Sequence, residues 1–455
     1  MPVMPVSHSG RWLVDATGRV LEVHGVNMVE KRAPYYPAAF GFDSADGAWL
    51  AANGFDVVRL GVLATGALPA PGVVDSSYID HLASTVRMLQ SYGIMVLLDA
   101  HQDGYGPSVG SDGFPAWMTL TDGAQNTHVG FPDYYVADPA VQQAFQSFWK
   151  DQAGPGGEGL QQDDASMFRA LAQKFASSEN ILGYEILNEP WPGTTWLPCA
   201  TGSGCPALDR SELDPFYARI DRAIRSADHA HLVFAEPFVL FNLGTSKTSI
   251  SLPGGDPDSG MAFHVYPTDP SNAVDVIDNA VSWSRSTGGA LLATEWGATT
   301  SPAAIEVQEA AFDSSLMPWL FWSFNVSMVK SISAPPTGSN LHRSAVAALV
   351  EPHPLAVAGT PRTLSYDHAS HVLHFSWSTS RVGGGSFPPG AVTSIQVPKL
   401  AEENGYRVQV TGGKVTSPPC STMLSIVALS GAKEVSVTIH PAATGTKCAT
   451  ASGAS

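Results

Sequence analysis

Short runs of apolar residues, each followed by a longer stretch with helical spacing, organise the first 350 or so positions of the chain. Eight such runs stand out, at residues 21–26, 56–60, 94–99, 183–187, 232–235, 261–265, 291–294 and 319–322. They are apolar at consecutive positions rather than at alternate ones, as strands covered on both faces of a parallel sheet must be. Between them, apolar side chains recur at three- and four-residue intervals. Tyr78, Leu82, Thr85, Val86 and Leu89 do so before stopping at Gly93; Met167, Leu171 and Phe175, and Phe216, Ile220, Ala223 and Ile224, repeat the pattern. Eight β units, each followed by a helix, predict a (β/α)8 barrel.

Two segments depart from this rhythm. Residues 11–23 read as a hairpin, with Trp12-Leu13-Val14 and Val20-Leu21-Glu22-Val23 flanking the turn sequence Asp15-Ala16-Thr17-Gly18. Beyond Pro352 the helical spacing ends. Strand-like alternation follows at 371–377, 393–397, 407–410, 424–429 and 435–440, broken by Gly383-Gly384-Gly385 and Pro388-Pro389-Gly390. The expected class is α/β, a TIM barrel over residues 1–353 followed by a smaller C-terminal β-sandwich over 354–455.

Composition and charge narrow the partners. The 455 residues are 44% hydrophobic and 14% charged, enough to bury a large core. The formal net charge of −17 repels nucleic acid and anionic membrane surfaces, but not a neutral glycolipid headgroup. Of the three pairings open to the four cysteines, the local one is expected: Cys199–Cys205 and Cys420–Cys448. Disulfides imply an oxidising compartment, so the protein is expected to be secreted, although no signal peptide is visible at the start of the chain. A zinc site would need closely spaced sets such as Cys-x-x-Cys, and there are none, so neither metal nor cofactor is expected.

Active sites of barrels lie at the C-terminal ends of the strands. Those ends are unusually polar here. They carry Asn27 with Glu30 and Lys31, then Arg59, then Asp99-Ala100-His101-Gln102-Asp103, then Asn188-Glu189-Pro190, then Glu236, His264 with Tyr266, Glu295, and Trp322. Charged groups gathered at one rim cost stability unless they serve chemistry. Glu189 and Glu295 stand on the fourth and seventh strands, across the mouth from each other. A pair of carboxyls facing across a bond is what glycoside hydrolysis requires. Asn188 is placed to hold a sugar hydroxyl, Tyr266 to hydrogen-bond Glu295 and keep it ionised, and Trp322 to offer a flat face to a sugar ring.

The ordered set Arg59, His101, Asn188, Glu189, His264, Tyr266, Glu295 and Trp322 resembles glycoside hydrolase family 5 over roughly residues 11–354. The resemblance implies a retaining mechanism, with Glu189 as acid/base and Glu295 as nucleophile. Within the family the chain looks like the bacterial endoglycoceramidases. The features that carry this are His101-Gln102-Asp103, Ala116-Trp117, Lys31 followed by Arg32-Ala33-Pro34, and the join 354–361 into a β domain. This implies a glycosphingolipid substrate, cut between oligosaccharide and ceramide, with Lys31 and Asp103 holding the first glucose beside Asn188. Arg59, His101, Glu236, His264, Tyr266 and Trp322 complete the expected substrate-binding set. Phe131, where a sugar-contacting tryptophan is expected, and Glu236-Pro237, where some members have a glutamine, depart from the pattern and bear on glycan preference.

Apolar loops on the same face point independently to a lipid. Phe238, Leu240, Val326, Met328 and Val329 are expected to line a groove for the ceramide chains, with peripheral contact to a membrane or micelle and a monomeric enzyme. Two other readings stand beside this one: a family 5 β-glycosidase acting on a polysaccharide or a simple glucolipid, and a non-catalytic barrel that binds glycan. The presence of both glutamates argues against the latter.

Overall fold

The protein is described here by a computed structural model covering residues 1–402 and 404–442. The eight apolar runs form a closed parallel barrel: β4 (His24–Met28), β5 (Val57–Val62), β6 (Met95–Ala100), β7 (Ile181–Glu185), β8 (Leu232–Ala235), β9 (Ser259–Val265), β10 (Ala290–Trp296) and β11 (Trp319–Phe321). The barrel closes through β11, whose Trp319 pairs with His24 of β4. Every residue of these strands is buried, which explains the continuous apolar runs. The expected helices are present as Ser76–Gln90, Leu160–Phe175 and Asp214–Arg225. The first of these is capped by Asp75, whose side chain accepts from the Ser77 and Tyr78 N–H groups.

Side chains alternate between the two faces of a strand, and here the alternation separates two functions. One set of residues fills the barrel interior: Val57, Leu97, Phe234, Ala262 and Leu292 lie in one apolar cluster. Two residues further along the same strands come Arg59, Asp99, Glu236, His264 and Thr294, all fully buried. The barrel is thus plugged with hydrocarbon below and carries a charged layer directly above.

Three strands precede the barrel: β1 (Ser7–Ser9), β2 (Trp12–Val14) and β3 (Val20–Leu21). The C-terminal part contributes β12 (His353–Val357), β13 (Thr360–Asp367), β14 (Val372–Ser378), β15 (Val392–Gln396), β16 (Tyr406–Thr411), β17 (Gly413–Val415), β18 (Met423–Ala428) and β19 (Glu434–Pro441). One sheet runs β1-β2-β3-β12-β15-β18-β17 and the other β13-β14-β19-β16. Phe375, Trp377, Ile395, Ile426 and Val437 pack together in the apolar core of this part. The hairpin at the start of the chain therefore extends a C-terminal sheet, through Leu21 opposite Ala356, rather than belonging to the barrel alone. A division at 353/354 also falls inside β12. Leu13, Leu21, Val23 and Leu355 join the barrel's inner cluster, so this sheet seals the barrel floor.

Candidate active site

Arg59 organises the charged layer. Its Nε and Nη2 make a two-pronged bond to Glu185 at 2.7 and 2.9 Å, and Nη2 also reaches Asn188 Oδ1 at 2.8 Å, Asp99 Oδ1 at 3.0 Å and Glu236 Oε1 at 3.3 Å. Nη1 donates to Asn27 Oδ1 at 3.0 Å and to Glu295 Oε1 at 2.5 Å. Burial opposes the charge on Arg59, but Asp99, Glu185 and Glu295 raise its pKa further above its ordinary value. Burying an ion costs several kcal/mol, a cost offset only where all its donors find partners, as here. Arg59 was expected to touch sugar; at 0% exposure it instead positions the carboxylates.

Glu295 retains 5% exposure, and its Oε2 accepts from the Tyr266 hydroxyl at 3.1 Å, as the sequence suggested. Burial raises its carboxyl, while His264 and Arg59 act against this to favour the ionised form. Glu189 lies opposite, 7% exposed. Its Oε1 accepts from His264 Nδ1 and from Asn242 Nδ2, each at 2.9 Å. The backbone N–H of His264 in turn donates to Asn242 Oδ1 at 3.4 Å, which fixes the direction of that amide. With Oε1 held by two donors, Oε2 is the oxygen left to carry a proton toward a leaving group. An oxygen of Glu189 and an oxygen of Glu295 lie within 4.8 Å of each other, with His264 between them.

The backbone at Glu189 is strained, with φ at +44°, a left-handed conformation that non-glycine residues hold only when neighbours enforce it. Gln102 Nε2 supplies part of that force, donating to the Asn188 and Glu189 carbonyls at 2.7 and 3.0 Å. Glu236 Oε2 accepts from the Glu189 N–H at 3.1 Å. Gly113, with φ at +124°, lies so close to Gln102 that a Cβ there would collide with its side chain. Glu236 and His264, both expected to bind substrate, are fully buried and hold Glu189 instead. Burial opposes charge on His264, but Glu236 and Glu295 raise its pKa well above the ordinary histidine value. Its Nε2 lies 3.3 Å from Glu236 Oε1.

A second cluster opens beside the first. Lys31 pairs with Asp103 and lies 3.5 Å from Asp112, while its ammonium sits 5.2 Å from the centre of the Trp322 ring. His101 stacks on Trp322 with 5.4 Å between ring centres, and its Nδ1 is 2.8 Å from Asp99. Lys31, Asp103, Asp112, Tyr266 and Trp322 keep partial exposure. They form a patch with a ring face and charged edges, suited to a sugar with vicinal hydroxyls. Asn188 is fixed next to it, with Oδ1 on Arg59 and Nδ2 on the Gln102 carbonyl at 2.8 Å.

Several partners went unnoticed in the sequence. Asp99 is next to last in β6 and Glu185 is the last residue of β7; Asn242 comes from a 3-10 turn; Asp112 meets Asp103 through an isolated bridge. The two-residue alternation from Leu97 in the apolar plug points to Asp99, whereas Glu185 stands three residues beyond Leu182, across a shift in strand register, and leaves no such signal.

The aliphatic residues do not form the expected groove. Phe238, Met328 and Val329 are 4%, 0% and 1% exposed and belong to the core beneath the loops. Leu240 is half-buried near the Cys199–Cys205 disulfide, and Val326 alone of the five is exposed. That disulfide is present; of the other expected pair, Cys448 lies outside the described residues. Two sets of donors here, Glu189–His264–Glu295 and His101–Asp103–Asp112, are close enough to surround an ion. In both sets the histidine ring is hydrogen-bonded to a carboxylate, His264 Nδ1 to Glu189 and His101 Nδ1 to Asp99.

Residues 14–327 match the family described as Cellulase (glycosyl hydrolase family 5), and residues 352–440 match the Glycoside hydrolase family 5 C-terminal domain. Endoglycoceramidase I of Rhodococcus hoagii (strain 103S) is 28% identical, over 96% of this chain and 89% of that protein. An endoglycoceramidase of Cyanea nozakii is 30% identical, over 58% of this chain and 57% of its own. Among solved structures, endo-glycoceramidase II from Rhodococcus sp. in its ganglioside GM3 complex superposes with a TM-score of 0.79 at 25% identity, covering 96% of this chain and all of that one. The lactosyl-enzyme intermediate of the same enzyme gives 0.76 at 26%, covering 95% of this chain and 100% of that one.

Proposed function

Because the chain belongs to glycoside hydrolase family 5, we propose that it is a retaining endo-glycosidase that cleaves the β-glycosidic bond between oligosaccharide and ceramide in glycosphingolipids. The observation that carries this is the approach of Glu189 and Glu295 to within 4.8 Å, oxygen to oxygen. Inverting enzymes hold their carboxyls about 6.5–9.5 Å apart to admit a water; retaining ones hold them about 5–5.5 Å apart.

In this reading Glu295 attacks the anomeric carbon while Glu189 Oε2 gives its proton to the departing ceramide oxygen. Glu189 then takes a proton from water, which displaces the sugar from Glu295 with a second inversion. Lys31, Asp103, Asp112 and Trp322 hold the glucose next to ceramide.

A different set of residues is placed to meet lipid. Phe131, Leu197, Leu243 and Val326 are 68%, 68%, 41% and 60% exposed, and stand on the loops that follow β6, β7, β8 and β11. All four loops open on the catalytic face. Exposed apolar side chains on neighbouring loops of one face suit contact with a micelle or a glycolipid-bearing membrane. The Cys199–Cys205 disulfide supports a secreted enzyme, and we take it to act as a monomer.

The test is to compare oligosaccharide release from a ganglioside with sugar release from carboxymethylcellulose. Release from the ganglioside and not from the cellulose derivative is expected. The reverse would place the chain among the polysaccharide hydrolases of the family.

A further inference from the structure

A second group of buried ionisable side chains lies at the other end of the barrel. The helix Pro302–Ser315 brings down Glu309 and Asp313, Glu351 stands just before β12, His24 opens β4, and His368 sits in the turn between β13 and β14. β4 begins here and the helix ends here, so the group lies at the barrel floor, opposite the catalytic mouth. Glu309, Asp313, Glu351 and His24 are 1%, 4%, 3% and 5% exposed.

Two triads share Glu351. Donor atoms of Glu309, Glu351 and His368 lie within 4.8 Å of one another, and so do those of His24, Asp313 and Glu351. Neither oxygen of Glu309 has a hydrogen-bond partner among the described residues, nor has Oε2 of Glu351. His368 Nε2 stands 3.2 Å from Glu309 Oε2 and 3.7 Å from Glu351 Oε2 without hydrogen-bond geometry to either. Buried carboxylate oxygens are rarely left without partners, because each costs the full loss of its hydration.

We propose that Glu309, Glu351 and His368 form a binding site for a divalent transition-metal ion of the zinc class, with Asp313 and His24 around it. The donors are of the right kind, two carboxylates and an imidazole, where calcium or magnesium would favour oxygen alone. The spacing agrees as well: two donors about 2.0–2.1 Å from a shared tetrahedral ion stand about 3.3–3.4 Å apart. An ion here would join a barrel helix, the segment between the two parts of the chain and a hairpin of the second sheet. Its effect would be on stability, since the catalytic layer lies above the apolar plug.

The experiment uses the full chain, stripped with EDTA and dipicolinate, then supplied with zinc chloride and dialysed. About one zinc per chain by elemental analysis, with Tm raised by several degrees, is expected. Glu309→Gln and His368→Ala should each lose both effects, while hydrolysis of a soluble aryl glycoside stays at the wild-type level. If Glu309→Gln fails to fold, His368→Ala, whose side chain reaches the surface, decides the matter. Zinc that leaves Tm unchanged and is not retained overturns the proposal. So does zinc uptake that survives both substitutions, since it would then belong to another cluster.

Discussion

Arg59 and Glu295 are joined by a 2.5 Å hydrogen bond from Nη1 to Oε1, and the same guanidinium grips Glu185 through its other edge. The nucleophile's position is thus set from beneath by a residue with no exposure. The two edges of one planar fork serve two carboxylates, a geometry that a single ammonium cannot reproduce.

Arg59→Lys should therefore keep the charge and lose the function. One side of the bond network would be left unpaired; breaking a buried ion pair costs about 3–5 kcal/mol. Removing a donor aimed at a reacting group typically costs about 100- to 1,000-fold in kcat. Steady-state kinetics on an aryl glycoside, beside a thermal melt, should show both losses. Near-normal kcat would mean that charge alone suffices.

The assignment of roles can be tested by rescue. Glu295→Ser should not hydrolyse glycosphingolipid, yet should transfer sugar from a glycosyl fluoride of inverted configuration to an acceptor. Glu189→Ala should recover rate with azide on substrates bearing a good leaving group, having lost the roughly 100- to 10,000-fold contribution typical of a general acid. Product analysis by mass spectrometry distinguishes these outcomes, and the opposite pattern would exchange the two roles.

Much of this was legible in the sequence, for definable reasons. Strands buried on both faces leave unbroken apolar runs, so all eight barrel strands could be placed to within a few residues, and with them Glu189 and Glu295. The burial of Phe238, Met328 and Val329 could not be read, because a lipid groove and a packed core call for the same residue types. Asn242 reaches Glu189 from a 3-10 turn that leaves no periodic trace. The pairing of Leu21 with Ala356 joins segments so distant in sequence that only the folded chain reveals it. The same holds for the acidic cluster at the barrel floor, whose members come from four separate segments.

A surface role for the exposed apolar residues makes a separable prediction. Leu197→Asp with Val326→Asp should lower the rate on ganglioside in micelles at least about tenfold, since losing even two or three buried methylenes, at about 0.8 kcal/mol each, has this effect. Cleavage of a soluble aryl glycoside should stay within about two- to threefold, as both side chains are at the surface and expected to be dispensable for folding. Assaying the two substrates in parallel checks this; equal rates on ganglioside for variant and wild type would dismiss the micelle contact.

Stability should depend on His101 at alkaline pH. Burial alone would depress this histidine, but Asp99, with Asp103, acts against Lys31 to raise it from 6.5 to about 10. A group raised on folding stabilises fully below its unfolded value and loses that contribution as pH climbs to the folded one. The wild-type Tm should accordingly decline between pH about 6.5 and about 10 because of this group. His101→Gln, which cannot titrate, should have a lower Tm near neutrality and a flatter profile over the same range. Parallel profiles would show that His101 is uncharged in the folded protein.

The central claim joins a substrate to a stereochemical course, and proton NMR of ganglioside hydrolysis observes both at once. Spectra recorded in the first minutes, before mutarotation, should show the intact oligosaccharide with its reducing glucose in the β configuration, and ceramide as the only other product. First appearance of the α anomer would contradict retention by Glu189 and Glu295, and release of single sugars from the outer end would contradict cleavage at ceramide.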